Sequence, residues 1–233
     1  MKTALFPLAI AAFALSGCMT NETPDGGGRP GSLTAQELFE IHEQRGAEFD
    51  AAEEETAQGG VTLPSSLDAT YSGVAMLGYH YSHTAPFEVM IGEMKLDAKI
   101  DPNGADTING NLSNFYAASG LTMDEAVGVL DGFPDDMPAQ DKADLIASFD
   151  RDVTGSLDLT GTIANGGNEF PLNINGTLVD GSTNVVVGGQ VQAGFHGNSA
   201  QAIGISGNSD VGTLILDPGT FVEGGIFGFA MKQ

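Results

Sequence analysis

From Val61 to the end of the chain, apolar and polar residues alternate with period two, and the alternation predicts strands. Ile91–Ile100 (IGEMKLDAKI) puts Met94, Leu96, Ala98 and Ile100 on one face, with Lys95, Asp97 and Lys99 on the other. Val153–Ile163 turns Val153, Leu157, Leu159 and Ile163 inward and Thr154, Ser156, Asp158, Thr160 and Thr162 outward. Phe170–Val179 does the same with Phe170, Leu172, Ile174 and Leu178. Ala69–Leu77, Asp106–Phe115, Asn184–His196, Ala200–Ser206 and Gly219–Met231 bring the count to eight. One polar face is what an antiparallel sheet solvated on one side requires. The glycines of Gly188–Gly204 and Gly224–Met231 fall where a closing barrel must bend its strands. The expected fold is all-β: an eight-stranded antiparallel up-and-down β-barrel over 61–233, its interior filled or holding one small ligand.

Two stretches break the alternation. In 33–60, Leu38, Ile41, Arg45 and Phe49 stand at helical spacings behind Thr34, with Glu37 three residues on as in a capping box. The stripe is thin and ends in Glu53-Glu54-Glu55, so this N-terminal helix is expected to lie on the barrel or to form only in part. Leu121–Ser148 carries two more helical patterns, Met123–Leu130 and Ala139–Phe149, in a long connection between strands.

The first residues read as an address. Lys2 precedes the apolar run Ala4–Leu15, which has signal-peptide length and is too short to span a bilayer. Leu15-Ser16-Gly17-Cys18 resembles the bacterial lipobox, so 1–17 is expected to be a lipoprotein signal peptide and Cys18 the lipidated residue, carrying palmitate-type acyl chains. Met19 is not the Asp that holds lipoproteins at the inner membrane, which points to the outer membrane. Residues 18–32, rich in Gly, Pro and polar side chains, read as a flexible tether.

Composition narrows the partners. Thirty-one acidic residues against eight basic ones give a formal net charge of −23, which excludes a phosphate-neutralising nucleic-acid interface. A basic partner is the better match.

Candidate chemistry is sparse. Asp150–Gly161 follows the first nine positions of a calcium-binding loop, but Gly161 stands where the bidentate Glu belongs and the segment alternates as a strand; no metal site is expected. Tyr79, His80, Tyr81, His83 and Phe87 form the one dense group of aromatic and imidazole side chains, in Gly78–Glu88 at an expected barrel mouth. They are the candidate ligand-binding residues, Tyr79 and Tyr81 sharing one strand face and His80 taking the other, and haem is the one cofactor their chemistry would admit. The insertion 117–148, with Phe133 and Met137, is a second candidate loop or a plug for one barrel end. No nucleophile elbow, phosphate-binding loop or dinucleotide fingerprint occurs, so no enzyme is expected.

One segment resembles a known family. Gly194, Phe195, Gly197, Ala200 and Gly204 match a pattern found in the barrels of the transferrin-binding protein B group of surface lipoproteins. His196, Asn198, Ala202 and Ile205 depart from it. Phe149–Ile163 is similar to the strands before that pattern, and Gly225, Phe227 and Gly228 to the closing strand. The resemblance implies an eight-stranded barrel held by lipid at the outer membrane and exposed on the cell surface. It also implies capture of a protein or small ligand, for iron, haem or another nutrient, beside an outer-membrane transporter. A structural or protective envelope lipoprotein without a dedicated ligand is the alternative.

Overall fold

A computed structural model describes residues 32–82, 84–130, 132–134, 136–163, 167–210, 213–219 and 222–233. The expected signal peptide, Cys18, all of the tether but Ser32, and His83 lie outside the described residues.

The strands are β1 (Leu67–His80), β2 (Phe87–Ile100), β3 (Thr107–Leu121), β4 (Arg151–Thr162), β5 (Glu169–Asp180), β6 (Thr183–His196), β7 (Ala202–Asn208), β8 (Leu214–Asp217) and β9 (Glu223–Lys232). All neighbours pair antiparallel, in chain order from β1 to β7, and β9 joins β7 to β1 to close the barrel. The barrel has eight strand positions. The extra segment, β8, pairs with Val186–Gly189 of β6, whereas β7 pairs with Gln192–His196; the two short strands share one position along β6. The single expected strand Gly219–Met231 is therefore replaced by β8 before it and β9 from Glu223. Gly219, at φ 97°, belongs to the turn between them. Four residues are too few to show a period.

Inside the barrel, Tyr71, Phe115, Phe170, Phe195 and the methionines Met90 and Met94 interdigitate with aliphatic residues from every strand. The inward faces expected on β4 and β5 hold: Val153, Leu157 and Leu159 are buried beside Phe170, Leu172, Ile174 and Leu178. Tyr71 also satisfies its hydroxyl, which donates to the Ala200 carbonyl at 2.7 Å. On β3 the parity flips at a bulge between Leu112 and Phe115, where Asn114 takes φ 54°. Its side-chain amide donates to the Leu33 carbonyl at 2.8 Å and to Glu93 at 3.2 Å, tying the start of the helical segment to the wall.

A second apolar cluster lies outside the barrel. It joins α1 (Ala35–Gly59), α2 (Met123–Leu130) and α3 (Ala139–Ala147) to the outer faces of β1, β2, β3 and β9. The capping box forms: the Thr34 hydroxyl accepts from the Glu37 N–H at 3.2 Å, and the Thr34 N–H donates to the Glu37 carboxylate at 2.7 Å. The partly formed alternative is corrected. All 25 residues are helical, because the buried stripe is wider than its obvious apolar members, adding Phe39, His42 and Ala52 to Leu38 and Phe49. Arg45 instead donates to the Ser72 carbonyl at 2.6 Å, pinning α1 to β1.

The segment Gly194–Gly204 supports this docking. At its turn, the Gly197 N–H donates to the Thr56 hydroxyl at 2.8 Å and the Asn198 N–H to Glu55 at 3.2 Å. Gly204 is required sterically, since a Cβ there would sit 2.9 Å from the Phe49 ring. The plug reading of the insertion is also corrected. Its helices pack on the outer wall, where Phe133 and Phe149 contact Phe39 with ring centroids 5.6 and 5.0 Å away.

Candidate ligand groove

The expected mouth site separates into two environments. Alternation along β1 sends Tyr79 into the barrel, where it is 2 % exposed, and His80 to the outer wall. Burial, with Tyr81, Glu88 and Asp180 nearby, pushes the Tyr79 phenol far above its ordinary pKa. Beside it Arg151 bridges Glu88 at 2.9 Å and Asp180 at 3.1 Å, so this barrel end is occupied by its own ion pairs. Tyr81 is exposed and packs edge-on against Tyr79 at 5.9 Å. His80 faces away from both tyrosines, so these three do not converge on one ligand; His83 lies outside the described residues. The four described candidates thus fall into two pairs, Tyr79 with Tyr81 at the barrel end and His80 with Phe87 on the outer wall, the latter with ring centroids 4.6 Å apart.

His80 and Phe87 belong to a groove of about 910 Å³ on the outer wall, between α1 and the β1–β9 pair. Its apolar lining includes half-buried Phe87, Phe133 and Phe227 with Leu130, over the buried rings of Phe49 and Phe229. Phe49 stacks on Phe229 at 5.2 Å, and Phe227 tilts against Phe229 at 6.2 Å. The strands present these rings because Phe227 and Phe229 alternate outward with inward Ile226 and Ala230. One rim is held by Ser209, whose N–H donates to the Gly224 carbonyl at 2.9 Å while its hydroxyl accepts from the Gly224 N–H at 3.0 Å.

The polar part of the lining is acidic. Glu43, Asp50, Glu53, Asp210 and Glu223 contribute carboxylates, and no lysine or arginine is among the described lining residues. Three of the five have a basic neighbour. Lys142 pairs with Glu43, His196 lies 3.8 Å from Glu53, and His80 lies 3.8 Å from Glu223. His42 sits against Phe229 at 5.3 Å, and its burial lowers its pKa against the opposing pull of Glu43 and Asp50.

Sequence reasoning missed most of this lining. Phe133 was a candidate through its insertion, whereas His42 lies in a helix that gave no sign of meeting β9. Phe227 was read as a framework residue. The one available signal was the aromatic repeat Phe227-Gly228-Phe229 on a strand whose inner face is small, which leaves both rings pointing outward.

Fold and groove together define a class: a closed eight-stranded antiparallel barrel with a helix-walled, aromatic, acidic cleft on its outside. No family model matches the chain, and neither a curated protein nor a solved structure matches it.

Proposed function

We propose that this protein is an envelope lipoprotein, anchored through Cys18 at the outer membrane and exposed on the cell surface, that captures a ligand in the α1–β9 groove. The observation that carries the reading is the groove itself. A volume of about 910 Å³ falls in the range of small-molecule sites, which are concave, mostly apolar and supplied with a few polar groups. The lipobox-like Leu15–Cys18 supports the anchor, and the likeness of Gly194–Gly204 to surface lipoprotein barrels supports the address. Capture for nutrient supply, handed to a membrane transporter, is the role this layout suits.

Two measurements test it. Cys18→Ala is expected to move the protein from the membrane fraction to the soluble fraction; unchanged sedimentation would contradict the anchor. Full-length protein incubated with culture medium and re-isolated should carry a bound compound visible by mass spectrometry. Gly46→Phe, which puts a ring into the groove, should lose it. Identical bound material on both proteins, or none on either, would favour the structural envelope role.

A further inference from the structure

Resting on that reading, we infer that the groove takes a small organic cation with an apolar body, an amine or quaternary ammonium on a hydrocarbon or aromatic frame. Three features meet there. First, half-buried Phe87, Phe133 and Phe227 line an apolar, π-rich surface backed by the buried pair Phe49 and Phe229, which favours both hydrocarbon and a cation held over a ring face. Second, the lining holds carboxylates without a lysine or arginine among its described residues, and Asp50 and Asp210 are exposed on opposite sides, one on α1 and one after β7. An anionic ligand would meet repulsion there, and a neutral one would leave this charge pattern unused.

Third, the space is kept open at a cost. Gly46 lies inside α1, where glycine is the least favourable residue after proline. Nothing in the packing demands it. A Cβ at position 46 would make ordinary contact with the Phe229 ring at 3.8 Å, and Gly46 is not among the residues with positive φ. Gly78 on β1 behaves alike, its Cβ meeting only Leu130 and Val89 side chains and the Glu88 carbonyl at 3.7–3.9 Å. Gly204, under Phe49, is needed for packing; Gly46 and Gly78 are not, and both border the groove.

The size of the groove selects a small molecule over a protein segment. A standard protein interface buries on the order of 800 Å² per partner, whereas this cleft is concave, local and walled by a helix.

The test uses the full chain carrying Cys18→Ala and three probes sharing a dodecyl chain, each well below its micelle concentration: dodecyltrimethylammonium, dodecyl maltoside and dodecyl sulfate. Calorimetry should give saturable one-to-one binding of the ammonium probe, at least tenfold tighter than the maltoside, with the sulfate weakest. Gly46→Phe should weaken the ammonium probe at least tenfold while keeping or raising the melting temperature. Asp50→Asn with Asp210→Asn, both exposed and safe for folding, should weaken it about threefold to tenfold and leave the maltoside unchanged. Equal affinity for all three probes would overturn the cation assignment while leaving capture in the groove intact. Ammonium binding insensitive to Gly46→Phe would place the cation elsewhere and overturn the assignment too. A basic amphipathic peptide that binds and is lost in Gly46→Phe, with no binding of the ammonium probe, would replace the small cation with a protein ligand. If neither the probes nor the medium-derived compound respond to Gly46→Phe, the capture reading itself fails.

Discussion

The barrel has one inner core and two different outer walls. Along β4 and β5 the outward positions Thr154, Ser156, Asp158, Thr160, Asn173 and Asn175 are exposed, with no helix packed over them. Along β1, every residue from Gly73 to His80 is buried, because Val74 and Met76 face out under the helices while Ala75, Leu77 and Tyr79 face in. The contrast teaches where a function can sit on a closed sheet. A solvated wall offers alternating hydroxyls and amides that solvate the fold. A covered wall offers a seam between helix and strand, and where the cover stands off, at Gly46 and Gly78, the seam widens into the groove.

The largest effects should come from the core the two walls share. Phe195 is fully buried and touches Tyr71 and Phe170. Phe195→Ala is expected to cost about 3–5 kcal/mol in urea denaturation. A loss under 1 kcal/mol would mean the barrel interior collapses around the gap more freely than a packed core allows.

Next comes the covered wall. Phe49→Ala removes the ring that sits over Gly204 and stacks on Phe229, at about 3 kcal/mol. The two walls should then part in hydrogen exchange, with α1 amides losing protection while β4 and β5 keep theirs. Uniform loss would show that the helix and barrel unfold as one unit and would weaken the comparison.

A smaller effect is pH-dependent and confined to the same seam. Burial lowers the pKa of both His42 and His196, and His196 has a buried Nδ1 with no hydrogen-bond partner among the described residues. The carboxylates facing them, Glu43 and Asp50 at one and Glu53 and Glu169 at the other, oppose the shift without reversing it. The unfolded chain therefore binds these protons first as pH falls below about 6.5, and stability drops through the window beneath that value. Replacing both histidines by Phe should flatten the pH dependence between 6.5 and 5 in thermal melts. An unchanged slope would assign the effect to other groups. At the small end, Thr160→Ser on the bare wall should stay within about 0.5 kcal/mol.

The same division explains what could be read from the chain. Strands β4 and β5 were legible almost to the residue, because one dry face and one wet face write period two into the sequence. Strand β1 was read as Ala69–Leu77 and runs on to His80, since a strand buried on both faces loses that alternation. The capping box of α1 was explicit, and so was a stripe through Leu38, Arg45 and Phe49, but the full width of its buried face was not: Phe39, His42 and Ala52 are buried as well, His42 through a ring contact. The site suffered most. Period two does part His80 from Tyr79 and Tyr81 in the sequence, but it does not show that the barrel end beside Tyr79 is filled by ion pairs while the wall at His80 faces a groove. The groove is assembled from α1, the ends of β1 and β7, and β9, which no local pattern connects.

The central claim is that ligand is held on the covered wall and not at the barrel mouth. Backbone amide shifts of the full chain carrying Cys18→Ala, recorded by nuclear magnetic resonance as dodecyltrimethylammonium is added, test it directly. The account predicts saturating shifts at His42–Glu53, Gly78–His80, Gly207–Asp210 and Glu223–Phe229, with β4 and β5 silent. Shifts centred instead on Tyr81, Glu88, Arg151 and Asp180 would contradict it and return the site to the mouth.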